Sequence, residues 1–109
     1  MNYKKTDDES AMFGTCFSYV TIDATTNQLK KAFGKPNIEE CDDSEKVQKE
    51  WWFVSDDSKP FTIYDWKEYR AYGDDEVIEW HIGKDIKPST TEEDAKDFKE
   101  WVLKELNKN

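Results

Sequence analysis

The sequence has few of the residues that build common catalytic, metal and phosphate sites. It contains one histidine, two cysteines and four glycines in 109 residues. A Ser-His-Asp or Cys-His site would have to use His81, because no other imidazole can act as the base. Zinc sites of the usual Cys and His composition lack ligands, and the glycines fit neither GxGxxG nor a P-loop. We therefore expect no enzyme, no metal site and no cofactor.

Cysteine pairs and long apolar runs are lacking as well. Cys16 and Cys41 are far apart and form no CxxC pair, so we expect no disulfide framework and a reducing cytoplasm. The first dozen residues contain no apolar segment of the kind found in export signals, and no run of 18 apolar residues occurs. Neither export nor membrane insertion is expected.

Basic side chains are fewer than acidic side chains. The chain has 25 acidic and 16 basic side chains, which gives a formal net charge of -9. This charge repels phosphate backbones and anionic lipids, and it attracts cations and basic proteins. We therefore expect no direct binding to nucleic acid or to membranes, and a basic protein as partner. The alternative is that the charge only keeps a small protein soluble.

What the sequence does contain is a large share of rings. Five Trp, five Tyr and six Phe residues must supply much of the buried area of a chain in which 36% of residues are hydrophobic. The length suits one domain. Residues 1–11 alternate charged and polar side chains and are predicted to be a flexible tail, and residues 12–109 are predicted to form a single α+β domain.

The patterns of apolar residues predict an alternation of strands and helices. Strands are predicted at residues 13–22, 47–54, 61–67 and 77–82. Thr25 with Gln28, and Thr90 with Glu93, match the capping box that begins a helix. The predicted order is β-α-β-β-β-α. It favours a four-stranded, mainly antiparallel sheet with two helices packed on one face.

Side chains alternate across a strand, so one face of the sheet can be predicted from the sequence. Ile78, Trp80 and Ile82 form a wholly apolar set that should face the helices. The opposite face should then display six candidate binding residues: Glu50, Trp52, Tyr64, Trp66, Glu79 and His81. Exposed rings in such number indicate an interface. The alternatives are that a loop or the tail covers the rings, that a homodimer forms through this face, and that His81 is structural.

Acidic residues form a second candidate site in the predicted loops: Glu39, Glu40, Asp42, Asp43, Glu45, Asp56, Asp57, Asp74, Asp75 and Glu76. Their pairs are adjacent in sequence and do not match the ligand spacing of an EF-hand loop. They are typical of solvated loops. Aligned on one side of the molecule, they would instead imitate the phosphates of nucleic acid.

Four short strings, taken together, point to a type of protein: Phe33-Gly34-Lys35-Pro36, Glu50-Trp51-Trp52-Phe53, Tyr64-Asp65-Trp66-Lys67 and Glu79-Trp80-His81-Ile82-Gly83. Their order and spacing resemble small bacteriophage-type proteins that share an FGxP turn, a YxWK strand and a WHIG strand. The likeness covers residues 15–85. Lys84 departs from it, since a second glycine is expected there. The resemblance implies a phage or prophage origin and a location in the cytoplasm of a bacterial host.

The leading hypothesis from the sequence is a non-enzymatic acidic binding protein. It would act as a phage-type inhibitor of a host defence protein, for example a CRISPR component, or of a protein that handles nucleic acid. The acidic surface would steer a basic partner, and the rings would hold it. A small-ligand binding protein that uses the aromatic sheet face is the first alternative. A structural homodimer is the second.

Overall fold

A computed structural model of the chain describes residues 2–12, 14–39, 49–66, 72–86 and 90–108. Within these ranges the chain forms six strands, two α-helices and a short 3-10 helix, Glu9–Met12. The strands are β1 (Tyr3–Lys5), β2 (Thr15–Ala24), β3 (Ile38–Glu39), β4 (Lys49–Ser55), β5 (Pro60–Tyr64) and β6 (Ile78–Asp85). The helices are α1 (Thr26–Phe33) and α2 (Glu92–Asn107).

The strands form one antiparallel sheet in the order β1-β4-β5-β6-β2, and β3 pairs with β4 along the same edge as β1. The predicted α+β class and antiparallel sheet are confirmed. The predicted strand number is wrong, because the described residues form six strands and not four. The two additional strands are three and two residues long, which is too short for an alternating pattern to show in the sequence.

The amino-terminal segment differs from the predicted tail. Residues Tyr3–Lys5 pair with β4, and the Tyr3 ring packs against Phe98 with 5.1 Å between ring centroids. Burial, aided by nearby carboxylates, raises the pKa of Tyr3 to about 12. One large ring thus anchors an otherwise charged segment to the sheet.

Both helices begin at capping boxes. At α1 the predicted pair is confirmed: the Thr25 side chain accepts a hydrogen bond from the Gln28 N–H, and the Gln28 side chain accepts one from the Thr25 N–H. At α2 the prediction is wrong by one residue. Thr91 and Asp94 form the box, since Thr90 is itself buried.

The core lies between the helices and one face of the sheet. Phe98 of α2 contacts Phe53 and Phe61, and Phe33 of α1 contacts Phe53 and Trp101, so both helices cover the same face. The predicted inward set is confirmed, because Ile78, Trp80 and Ile82 are all buried. Strand pleat then places their sequence neighbours on the opposite face, which we call the helix-free face.

Candidate ligand-binding pocket

Three of the predicted binding residues lie in a row across the helix-free face. Glu50 of β4 is directly opposite Tyr64 of β5, which is directly opposite His81 of β6. Each side chain is half-buried. The alternation of buried and accessible side chains along β4 and β6 therefore brings one carboxyl, one phenol and one imidazole together.

The neighbouring row has a gap where a side chain would stand. Gly83 lies between Thr62 on β5 and Phe17 on β2. A Cβ atom at this position would clash with Thr62 Oγ1 and would lie 3.3 Å from Tyr64 Cε1. Because Gly83 has no side chain, Thr62 and Tyr64 can lie close to its backbone. The surface of the sheet is therefore lower at Gly83 than at the neighbouring row of Glu50, Tyr64 and His81.

A bulge in β2 shapes one wall of this depression. The register of β2 against β6 shifts between Phe17 and Val20. Ser18 is buried there. Its hydroxyl donates a hydrogen bond of 2.7 Å to the carbonyl of Ile82 and accepts one of 3.2 Å from the Val20 N–H. Bulges re-aim the side chains beside them, and here the Phe17 ring lies against His81.

Four rings surround the depression. His81 stacks on Phe17, with centroids 4.0 Å apart and planes inclined by 18°. Trp66 is nearly parallel to His81, at 6.0 Å and 25°. Tyr64 stands almost perpendicular to Trp66, at 6.3 Å and 83°. Phe17, His81 and Trp66 thus form a stack of three rings, and Tyr64 stands beside this stack.

The result is a concave pocket of about 410 Å³, within the range of small-molecule sites. Eight residues line it: Thr15, Cys16, Phe17, Glu50, Thr62, Tyr64, Trp66 and His81. The alternative that a loop or the tail covers the rings stays a prediction. Trp66 is 38% exposed.

The pKa values of Glu50, Tyr64 and His81 in the pocket are shifted toward the neutral forms of these groups. Burial raises the pKa of Glu50 to about 7, although a hydrogen bond from the Trp52 side chain opposes this. Burial and the Glu50 charge raise the pKa of Tyr64 to about 12. Burial lowers the pKa of His81 from 6.5, against the pull of Glu79. Near pH 7, Tyr64 and His81 are neutral and Glu50 is divided between its two forms.

One nitrogen of the His81 ring lacks a hydrogen-bond partner. Its Nδ1 atom is buried and has no partner among the described residues. An unsatisfied buried polar atom costs about 1–3 kcal/mol, so a ligand atom that bonded to Nδ1 would remove this cost.

The six residues predicted for this face do not all reach the pocket. Glu50, Tyr64, Trp66 and His81 line it, Trp52 contacts it through its hydrogen bond to Glu50, and Glu79 is exposed outside it. The sequence analysis missed the four remaining lining residues: Thr15, Cys16, Phe17 and Thr62. Three of these belong to β2, and their place beside the pocket follows from the pairing of β2 with β6, which the sequence does not show.

The acidic residues are divided between the two ends of the sheet. Asp56 and Asp57 follow the carboxyl end of β4. Asp74, Asp75 and Glu76 precede β6. The first residues of β6 lie beyond Tyr64, the last residue of β5, and so at the opposite end of the sheet from Asp56 and Asp57. The separation along β4 is roughly 20 Å, at about 3.3 Å per residue. These five acids therefore form two groups, one at each end of the sheet.

Several of these acids are also paired. Glu39 forms an ion pair of 3.1 Å with Lys30, and Asp57 forms one of 3.5 Å with Lys59. Asp75 accepts a hydrogen bond of 2.6 Å from Asn27. Four predicted residues of the acidic site lie outside the described residues: Glu40, Asp42, Asp43 and Glu45.

Comparison with known proteins gives no identity: no protein-family model and no curated protein matches this sequence.

In the described part of the chain, no three His, Cys, Asp or Glu side chains are grouped so that they could hold a metal ion. No helix within the described ranges is long and apolar enough to cross a membrane.

Proposed function

We propose that this chain is a non-enzymatic binding protein for a small ligand, and that the aromatic pocket is its site. The observation that carries the proposal is the pocket itself. An apolar concavity with a few convergent polar groups of shifted pKa is the usual form of a ligand site. Glu50, Tyr64 and His81 are those polar groups.

Binding is proposed rather than catalysis because the lining of the pocket is mainly aromatic. Phe17, Tyr64, Trp66 and His81 surround the concavity, and an apolar concavity lined by rings suits the binding of a ligand.

Tryptophan fluorescence tests this proposal, because Trp66 lies in the pocket and is partly exposed, whereas Trp51 and Trp80 are fully buried. The protein is titrated with adenosine, uridine, nicotinamide and choline. We expect a saturable change in emission with at least one of them. Silence with all four would count against a small-ligand site.

Two variants locate the response. Tyr64→Ala removes one wall of the pocket and keeps every tryptophan, so the saturable change should be lost. Tyr19→Ala removes a ring that is 82% exposed and does not line the pocket, so the change should persist. An equal response from both variants would place the bound ligand elsewhere.

The acidic inhibitor inferred from the sequence is the second candidate, and two observations favour it. The net charge of -9 would steer a basic protein. Tyr19 is 82% exposed and has a backbone φ of 69° at the bulge, a conformation that costs free energy for a residue with a side chain. Such an exposed ring beside the pocket suits a protein partner.

A pull-down from bacterial lysate tests this second candidate. The wild type is compared with a variant in which Trp52 and Trp66 are both replaced by Ala. A basic partner recovered by the wild type and lost by the variant would support an inhibitor that uses the helix-free face. Equal recovery of the partner by both proteins would argue against a binding site on the helix-free face. The homodimer alternative is tested separately, by sedimentation of the isolated wild type.

A further inference from the structure

We propose that the ligand of the aromatic pocket is a small organic cation that carries a methylated ammonium group. This inference rests on the proposed function and names its ligand class. It follows from the angles between the rings, from the sign of the charge in and around the pocket, and from the positions of the nearby lysines.

The ring geometry provides two faces at a right angle. Tyr64 and Trp66 are inclined by 83° with their centroids 6.3 Å apart, and Tyr64 is inclined by 67° to His81. A methylated ammonium group within about 6 Å of a ring centroid is attracted by the negative face of the ring. A corner of perpendicular rings offers such a group two faces at once.

A flat ligand is less well suited to this corner. Trp66 and His81 are nearly parallel, but their centroids are only 6.0 Å apart. A planar group inserted between two rings needs about 7 Å, twice the usual contact distance of 3.5 Å. A rounded ammonium group beside Tyr64 and Trp66 needs no such separation.

The charge of the pocket has the sign that a cation requires. Glu50 supplies a carboxyl at the end of the Glu50-Tyr64-His81 row, and the lining residues that the structure describes include neither Lys nor Arg. His81 adds no positive charge at neutral pH, because burial lowers its pKa from 6.5. The net charge of -9 raises the local concentration of cations further.

Two described lysines lie close in sequence to the pocket residues of β4 and β6 and on the core side of the sheet. Lys49 and Lys84 have the strand parity of the core residues, and Lys49 Nζ lies 4.4 Å from the centroid of the Tyr72 ring. Lys84 Nζ donates a hydrogen bond of 3.2 Å to the carbonyl of Asp85. Among the described residues, no Lys or Arg lines the pocket, so a phosphate group there would meet Glu50 without a lining cation to balance it, which disfavours nucleotides.

Calorimetric titration with choline and with its neutral isostere 3,3-dimethylbutanol tests the proposal. The two compounds have nearly the same shape and differ in charge. At pH 8, where Glu50 is mostly ionised given its pKa of about 7, we expect choline to bind about tenfold more tightly. Equal affinity, or tighter binding of the neutral compound, would overturn the assignment.

Two variants separate the contributions of charge and ring. Glu50→Gln keeps the shape of the side chain and should reduce the preference for choline. Trp66→Leu keeps apolar bulk without an aromatic face, so it should weaken choline binding by about tenfold and leave the neutral isostere nearly unchanged. If both variants kept the full preference, the cation would not be bound in this pocket.

Further ligands distinguish failure of this inference from failure of the proposed function. Binding of adenosine or nicotinamide without choline would disprove the cation and leave the small-ligand site intact. Absence of binding by every compound would disprove both. A trimethyllysine peptide that binds more tightly than choline would show that the same chemistry is presented by a protein, which contradicts the small free cation.

Discussion

The Phe17 ring stacks on the His81 ring, with 4.0 Å between centroids and 18° between planes. The two residues are not directly paired, since Phe17 is opposite Gly83 and His81 is opposite Thr21. The bulge between Phe17 and Val20 brings the rings together across this offset. A local irregularity in one strand thus fixes the orientation of the pocket's imidazole.

Gly83→Ala should destabilise the fold, because the new Cβ would clash with Thr62 Oγ1. We expect the free energy of unfolding to fall by about 1–3 kcal/mol, the usual cost of overpacking. Chemical denaturation measures this change. Gly73→Ala is the matched control, since nothing lies within 4 Å of its Cβ position.

The clash at Gly83 can be isolated with a double-mutant cycle. Thr62→Ala removes the obstructing hydroxyl, so Gly83→Ala should cost much less in that background than in the wild type. An equal cost in both backgrounds would show that the close approach of Thr62 and Gly83 does not determine the packing here.

Glu50 should make the stability fall as the pH rises through neutrality. Its folded pKa of about 7 lies above the ordinary value of 4.5, so the folded state holds a proton that the unfolded state has released. The stabilisation is complete below pH 4.5 and is lost as the pH rises through 7. The slope is at most about 1.4 kcal/mol per pH unit.

The measurement is the free energy of unfolding of the wild type and of Glu50→Gln between pH 5 and pH 8. The variant should gain stability relative to the wild type as the pH rises. The groups that influence Glu50 are Asp65, Trp52 and Tyr64. Glu79→Gln controls for the loss of one negative charge from the same face, and a parallel course of wild type and Glu50→Gln would contradict the raised pKa.

Asp94→Asn should weaken the start of α2. Asp94 Oδ2 accepts a hydrogen bond of 2.8 Å from the Thr91 N–H, and this bond, with the nearby Lys59, lowers the pKa of Asp94 below 3.8. We expect a loss of about 1 kcal/mol at pH 7. The stabilisation is present above pH 3.8 and is lost as the pH falls through the folded pKa.

Glu93→Gln is the control for this cap, because Glu93 is exposed and, among the described residues, forms an ion pair with Lys96 one turn along. Its effect on the free energy of unfolding should remain within about 0.5 kcal/mol. If Glu93→Gln lowered the free energy of unfolding more than Asp94→Asn, the capping box would be formed by Thr90 and Glu93, as the sequence predicted.

His81 should remain neutral below its ordinary pKa. Burial lowers the pKa of its imidazole from 6.5, while Glu79 partly opposes the shift, and Glu50, Tyr64, Phe17 and Trp66 are its pocket neighbours. Proton NMR of the single histidine should therefore show a titration midpoint below 6.5. A midpoint above 6.5 would mean that the imidazole is solvated or paired with a carboxylate.

The helix-free face could be predicted from the sequence because pleat alternation is a local property. Ile78, Trp80 and Ile82 define the buried side of β6, and Glu79 and His81 then follow on the other side. Pairing by register extends the face to Glu50 and Tyr64. Four of the six predicted residues accordingly line the pocket.

The pocket's shape could not be predicted, because it depends on how distant strands are paired. The bulge in β2 is defined only against β6, and no composition signal marks Ser18 or Tyr19 as irregular. Gly83 stood out in the sequence as part of the WHIG string, but its proximity to Thr62 requires the β5–β6 register. Short strands such as β3 also need their partner to be recognised.

The most direct test of the pocket is the NMR signal of His81 during titration with choline, since the only histidine of the chain lies between Phe17 and Trp66. We predict saturable shifts of its ring protons in the wild type and in Tyr19→Ala, and their loss in Tyr64→Ala. If neither choline nor adenosine moves the His81 signals, the aromatic pocket is not a ligand site.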